Sequence, residues 1–586
     1  MRSLPLLIYG GREFKFPPAC FFTEMIDFHS FLPEDPKEAK RIFNALPAEQ
    51  QLDIVLKTRG KERIHYLFLS EHAKELVHRL PELEVFLTIK EVGEKDSLDL
   101  ISLTTPEQFQ YLLDLEFWKQ GALNPEKVLH WMELLLESGE ERVIQFIHTS
   151  EPEFIALLLK KFLKVTTAEG EPLEISDRIP AFTLDQYYFI HFKEKAARSV
   201  LIPFLQILYR IDEEGYRRLM EALIVELDSE MEEIGHRLRN ARMADYGFPD
   251  FEEALEIYRF VNPDSLTPER DSSVSWTPGG AERISPPFYL MFQGEGSFLS
   301  SVLSRIDDPQ EQNRIKIELA ALFNKAMVAE PIDLFEIDEM KKVTQKVFHH
   351  LNLGLQYVSG EEEVKALEAL QSFPLQKIFQ CGVGATLLLK SKAESILKES
   401  WFSGDRENLR FLDLPHLEKF EGVLRKRPVL YRDGIPEDFK SLQDFRETKN
   451  LFDLVGAVTR FLGQKLQVYP KRLKALDQEV TLSTIFLTAW ANQILKGTFQ
   501  FEPIERVQLK DLFSRIFEKD EQGKGVIKME IKNGLKKALC SMEADENRRI
   551  HLLAFKDFCL DLFEEEFGRI PPEEEIDPRF IKGLLI

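Results

Sequence analysis

Four times between residues 46 and 162 the chain carries one local instruction: a turn or cap, a proline, an acidic residue, then a short apolar helix. The four stretches are LPAEQQLDIVL (46–56), LTTPEQFQYLLDLEFW (103–118), LNPEKVLHWMELLL (123–136) and TSEPEFIALLLKKF (149–162). A proline at the first helical position costs nothing, because its missing N–H would be unsatisfied there anyway. It also bars a preceding helix from running on. Helices cut this short are unstable alone and must bury their apolar stripes against neighbours. In 103–118 the stripe is Phe109, Leu112, Leu113 and Phe117, behind Thr105 as N-cap and Pro106 as first helical residue. The prolines stand at 47, 106, 125 and 152, so their separations of 59, 19 and 27 rule out a strict repeat. The pattern predicts an irregular stack of helical hairpins.

The expected fold is therefore mainly α, with an irregular α-helical repeat (solenoid-like) N-terminal region, further helical domains and a small β element. The segments are 1–35, an N-terminal segment; 36–163, the helical-repeat region; and 164–261, a β element plus helices. In the last of these, the β-branched and aromatic residues from Phe182 to Phe192 read as a strand. Residues 262–287 hold five prolines and a Gly-Gly pair and read as a linker or long loop. A helical region over 288–401, a loop-rich segment over 402–447, a helical region over 448–570 and a tail over 571–586 follow. The tail opens on the acidic, Pro-rich PPEEEIDPRF, which reads as a solvated strap.

Of the 586 residues, 44% are apolar and 30% charged, a globular composition. The 76 Lys and Arg against 99 Asp and Glu leave a formal charge of −23, which argues against wrapping a nucleic acid. Cys20, Cys381, Cys540 and Cys559 are too scattered for a disulfide framework or a metal knuckle. The opening MRSLPLLIYGGREFKF is interrupted by Pro5 and shows no secretory core, and no apolar run reaches the ~20 residues of a membrane span. A cytoplasmic protein without a membrane span is expected.

Chemistry-bearing patterns are sparse. The helix around 232–245 concentrates Glu232, Glu233, His236, Arg237, Arg239, Arg242 and Asp245. Arg239 and Arg242, three apart, share a face and could fork an anion, with Arg237 beside them. The alternative is a helix laced by ion pairs to Glu232, Glu233 and Asp245. Residues 518–530 suggest an EF-hand until Gln522 and Lys524 stand where oxygen ligands belong. A Gly-containing turn between helices is the expectation there. His349 and His350 point to different helix faces, and His65 and His72 lack a third ligand, so no metal site is expected. CGVGA at 381–385 is no phosphate loop, and its glycines are better explained by two helices in close approach. Residues 410–480 carry 14 Lys and Arg against 11 Asp and Glu, a weak basic excess that could meet an anionic surface or the protein's own acidic helices.

RLRNARMADYGFPDFEEALEIY at 237–258, FNKAMVAEPIDLFEIDEM at 323–340, HLNLGLQYVSGEEEVKALEAL at 350–370 and IDPRFIKGLLI at 576–586 resemble a family of large bacterial proteins known only as a domain of unknown function. The Pro-led helices at 46–162 are similar to the cytoplasmic helical superhelix of MgtE-type magnesium transporters, without the transmembrane part. These motifs are packing motifs, and no catalytic residue, cofactor or metal is expected from them. The leading functional expectation is a non-catalytic scaffold or adaptor that binds a protein partner. The alternative is an enzyme or small-molecule sensor with an anion pocket at Arg237, Arg239 and Arg242.

Overall fold

The computed structural model describes residues 7–9, 12–14, 35–119, 122–168, 181–225, 228–266, 296–332, 336–520, 524–568 and 581–586. Helices dominate these residues, and strands occur only as two-stranded antiparallel pairs, so the fold is mainly α. The linker beyond residue 266, most of the first 35 residues and the strap at 571–580 lie outside the described residues. The chain divides into two units. The first comprises Met1–Arg259, Thr267–Phe348 and Glu362–Phe379; the second comprises Phe260–Leu266, His349–Glu361 and Gln380–Ile586.

The Pro-led helices form where the sequence places them: Ala48–Lys57, Pro106–Glu116, Pro125–Glu137 and Pro152–Lys160. Thr105 caps the second through a reciprocal box, its hydroxyl accepting from the Gln108 amide N–H while the Gln108 side chain accepts from the Thr105 N–H. Phe109, Leu112, Leu113 and Phe117 are all buried. Helices of about ten residues leave nearly half their carbonyls without intrahelical partners, since the last four of each are orphans. In the first unit, polar side chains from elsewhere in the fold take several of them up. The Gln108 amide donates to Val77 and Leu80 at the end of Ala73–Arg79 (2.7 and 2.8 Å). Arg63 donates to Val55 at the end of Ala48–Lys57 (2.9 Å), and Asn44 to Leu69 at the end of Gly60–Leu69 (2.9 Å). Lys193 does the same for Lys160 (2.7 Å).

The expected β element is the pair Leu163–Thr167 and Tyr188–Phe192, in register from Leu163 opposite Phe192 to Thr167 opposite Tyr188. Leu163, Val165, Tyr188, Ile190 and Phe192 are buried, the alternate residues that share one face. Phe182 adds a single bridge to Ile190.

The second unit is built on the long helices Leu442–Lys465, Leu482–Lys496 and Glu546–Phe567. Its core is aromatic: Trp490 meets Phe563 edge-on at 5.3 Å, and Phe486 meets Phe555 at 5.6 Å. Ile581, Leu584 and Leu585 are buried in this core, so the last six residues are integral to it. Gln478 donates to the Leu584 carbonyl (2.7 Å), and the Leu585 N–H donates to Thr488 (2.9 Å). The segment at 518–530 is a β-hairpin, Phe517–Lys519 against Gly525–Ile527, rather than a simple turn. Its Asp520 carboxylate accepts from the Lys524 N–H (2.8 Å), a loop-closing role. Some cations of the 410–480 stretch meet the protein's own acids: Arg432 pairs with Asp444, Lys440 with Glu437, Arg460 with Glu399 and Lys474 with Asp405.

Two positions in this unit yield direct tests. A Cβ on Gly382 would stand 2.0 Å from the His350 carbonyl oxygen, so the glycine permits the close helix approach that CGVGA suggested. Gly382→Ala should lower unfolding free energy by about 1–3 kcal/mol or more in urea titration, because backbone must move. His416 is 7% exposed, its Nδ1 has no hydrogen-bond partner, and its ring lies 4.9 Å from Phe558. Burial lowers its pKa below 6.5, with Asp413 opposing and Lys419 reinforcing. The unfolded chain therefore binds the proton more readily, and stability falls as pH drops below 6.5. His416→Leu should flatten the loss of thermal midpoint between pH 7 and pH 5.

Candidate functional site

The charged residues singled out in the sequence at 232–245 lie on the Asp228–Asp245 helix in the first unit. Their partners come from other helices. Arg242 forms a bidentate pair with Asp114, Nε to Oδ2 and NH2 to Oδ1, both at 2.7 Å, and its NH1 donates to Glu151 (2.9 Å). Arg239 donates through Nε to the Asp114 main-chain carbonyl (2.8 Å), in the last turn of Pro106–Glu116, and through NH1 to Asn240 (3.2 Å). Glu232 pairs with Lys161. Arg237 is exposed and has no hydrogen bond or ion pair among the described residues. The structure thus brings Arg239 and Arg242 together on Asp114 and leaves Arg237 apart from them.

Asp114 is 1% exposed, and burial lifts its carboxyl above the ordinary range, with the Arg242 bonds pulling the other way. Burial also opposes the Arg242 cation, yet its bonds to Asp114 and Glu151 outweigh that and raise its pKa. The proton stays on the guanidinium, so the pair is ionic at neutral pH.

Beside this pair lies a cavity of about 260 Å³. Its walls come from Pro106–Glu116 (Tyr111, Asp114), from the Glu140–Thr149 helix (Arg142, Phe146), from Glu151 and from Arg242. Arg142 is 5% exposed. Its NH1 donates to the Thr104 carbonyl (2.8 Å) and to Gln145 Oε1 (2.6 Å), and its NH2 donates to Thr104 Oγ1 (2.6 Å) and the Thr105 carbonyl (3.3 Å). Its Nε has no acceptor. The guanidinium stacks over Phe109 at 4.6 Å. Every acceptor is neutral, and burial alone pushes its pKa down to about 10. The carbonyls ending the Leu98–Leu103 helix offset part of the charge.

A second buried cluster is internally matched. Glu116, 0% exposed, takes ion pairs from Lys90 (2.7 Å) and Lys127 (3.1 Å), while Glu94 takes Lys90 (2.7 Å) and faces His130 (2.5 Å). Burial opposes the Lys90 cation, but Glu116 and Glu94 prevail and raise its pKa. Among the described residues no group of three or more His, Cys, Asp and Glu is placed to hold a metal, and no helix is long and apolar enough to cross a membrane.

Sequence spacing missed Asp114, Arg142 and Glu151. One signal was present: Arg142 sits one turn before Phe146 and beside Val143, on the apolar face of its helix, where a cation must find buried acceptors.

A family model described as a family of unknown function (DUF6178) matches residues 40–586, and the chain belongs to that family. No curated protein and no solved structure matches it. The similarity of the Pro-led helices to the MgtE-type superhelix gains no support from these comparisons.

The Arg242–Asp114 pair should behave as a buried pair does. Arg242→Met removes the forked partner of the buried Asp114 carboxylate and should cost about 3–5 kcal/mol in chemical denaturation. The double variant Arg242→Met/Asp114→Leu should recover most of that loss.

Proposed function

We propose that this protein is a small-molecule receptor whose first unit binds a carboxylate-bearing metabolite in the cavity walled by Arg142 and Arg242. The supporting observation is Arg142, a buried guanidinium with neutral acceptors only, on the wall of a space of about 260 Å³. A buried charge without a counter-ion is costly, and a ligand anion that supplies one recovers that cost on binding. The volume lies just below the ~300–1,000 Å³ of drug-sized sites, which suits a small metabolite. Arg242 would act as a positioning residue, since its forked bonds to Asp114 are already made. The anion candidates Arg237 and Arg239 contribute less: Arg239 is committed to the end of Pro106–Glu116 and Arg237 faces solvent.

A second reading, an adaptor for a protein partner, draws on Phe251 and Leu255. They are 58% and 39% exposed and lie one turn apart on the Phe251–Leu255 helix. Apolar side chains exposed together are candidate anchors.

A thermal-shift screen of small carboxylates at millimolar concentration tests the receptor reading. At about 100-fold excess over Kd a ligand adds ~2.7 kcal/mol, a rise of several degrees in the midpoint. A flat response across the carboxylates, amino acids included, overturns the reading.

A further inference from the structure

The cavity's charges are divided in an uneven way. Two guanidinium groups and four carboxylates line it, and Arg242 is matched to Asp114. What remains is Arg142 on one side of the account and Glu107, Glu151 and Asp245 on the other. The three carboxylates come from three separate elements. Glu107 lies in the first turn of Pro106–Glu116, Glu151 precedes Pro152–Lys160, and Asp245 ends the Asp228–Asp245 helix. Glu107 and Asp245 are exposed and make no ion pair among the described residues, and Glu151 has only Oε1 engaged by Arg242. The positive charge is therefore buried and the negative charges are wet.

A plain carboxylate drawn to Arg142 would be repelled by these acids. A simple amine would be drawn to the acids but would gain nothing from Arg142. A molecule bearing both charges satisfies both sets. We propose, resting on the receptor reading, that the ligand is a zwitterionic amino acid, its carboxylate held at Arg142 and its ammonium among Glu107, Glu151 and Asp245. The carboxylate would replace Gln145 Oε1, a neutral acceptor that itself lines the cavity, on Arg142 NH1. Phe109, Tyr111, Phe146 and Tyr246 supply apolar and aromatic wall for the carbon skeleton. A volume of about 260 Å³ suits a skeleton the size of a single amino acid.

Isothermal titration of the full-length protein provides the test. The probes are the twenty protein amino acids and 5-aminovalerate, with valerate, succinate and pentylamine as singly or like-charged counterparts. At least one zwitterion should bind about tenfold or more tighter than valerate, a difference of about 1.4 kcal/mol. Carboxylates binding as tightly as every zwitterion would overturn this inference while leaving the receptor reading intact. Silence from all probes would remove both. Asp245→Asn changes an exposed side chain and spares the fold. It should weaken the zwitterion by about threefold to tenfold and leave valerate no weaker. Equal weakening of both ligands would overturn the assignment of the ammonium.

Discussion

Short helices leave a large share of their carbonyls unpaired, and much of the first unit follows from how that debt is met. Ordinary solutions are water, a glycine-led turn or a tightened last turn. Here, long side chains from neighbouring helices reach in: Arg63 to Val55, Gln108 to Val77 and Leu80, Arg142 to Thr104, Arg239 to Asp114, Lys160 to Leu223 (2.5 Å). Three of these side chains are arginines, which bring charge into places where amides would have sufficed as donors. That charge then has to be balanced. Arg63 is balanced by Glu84, at 3% and 4% side-chain exposure and 2.7 Å. Arg239 lies beside the Asp114 carboxylate that Arg242 also holds. Arg142 has only neutral acceptors, at the helix end and on Gln145, and a ring face.

This contrast explains why one cavity is singled out among many buried charges. The cluster of Lys90, Glu116, Glu94 and Lys127 also sits under the surface, but its two lysines meet two carboxylates at 2.7–3.1 Å. Such a set is self-sufficient and leaves nothing for a ligand to complete. Arg242 is self-sufficient in the same sense. Arg142 differs from both in that every acceptor it reaches is neutral.

Local features were legible in the sequence because they depend on residues a few positions apart. Thr105 reads as an N-cap, the prolines mark helix starts, and the β-branched and aromatic residues of Phe182 to Phe192 suggest the strand that forms over Tyr188–Phe192. The partners of Arg239 and Arg242 were not legible, because Asp114 lies 125 and 128 positions away and no local periodicity encodes it. Spacing suggested Glu232, Glu233 and Asp245 instead, and the structure pairs Glu232 with Lys161 from another element. The same limit applies at the end of the chain. The acidic, Pro-rich residues at 571–580 suggest a solvated strap and lie outside the described residues, while Leu584 and Leu585 are buried in the core of the second unit. The hairpin at 517–527 likewise needed the Gly568 carbonyl, which accepts from the Gly525 N–H (2.8 Å).

The two units do not occupy two blocks of chain. The first resumes after residue 266 and again after 361, and the second takes residues 260–266 and 349–361 from between its segments. No single cut can release either one whole. A fragment ending at 259 would lack Asn324, whose amide donates to the Tyr246 carbonyl (3.0 Å), and Lys325, which pairs with Glu253 (3.1 Å). Deletion mapping, which assigns roles by removing regions, would report on misfolding here before it reported on activity. Genetic dissection of this protein has to proceed by point substitution within an unbroken chain.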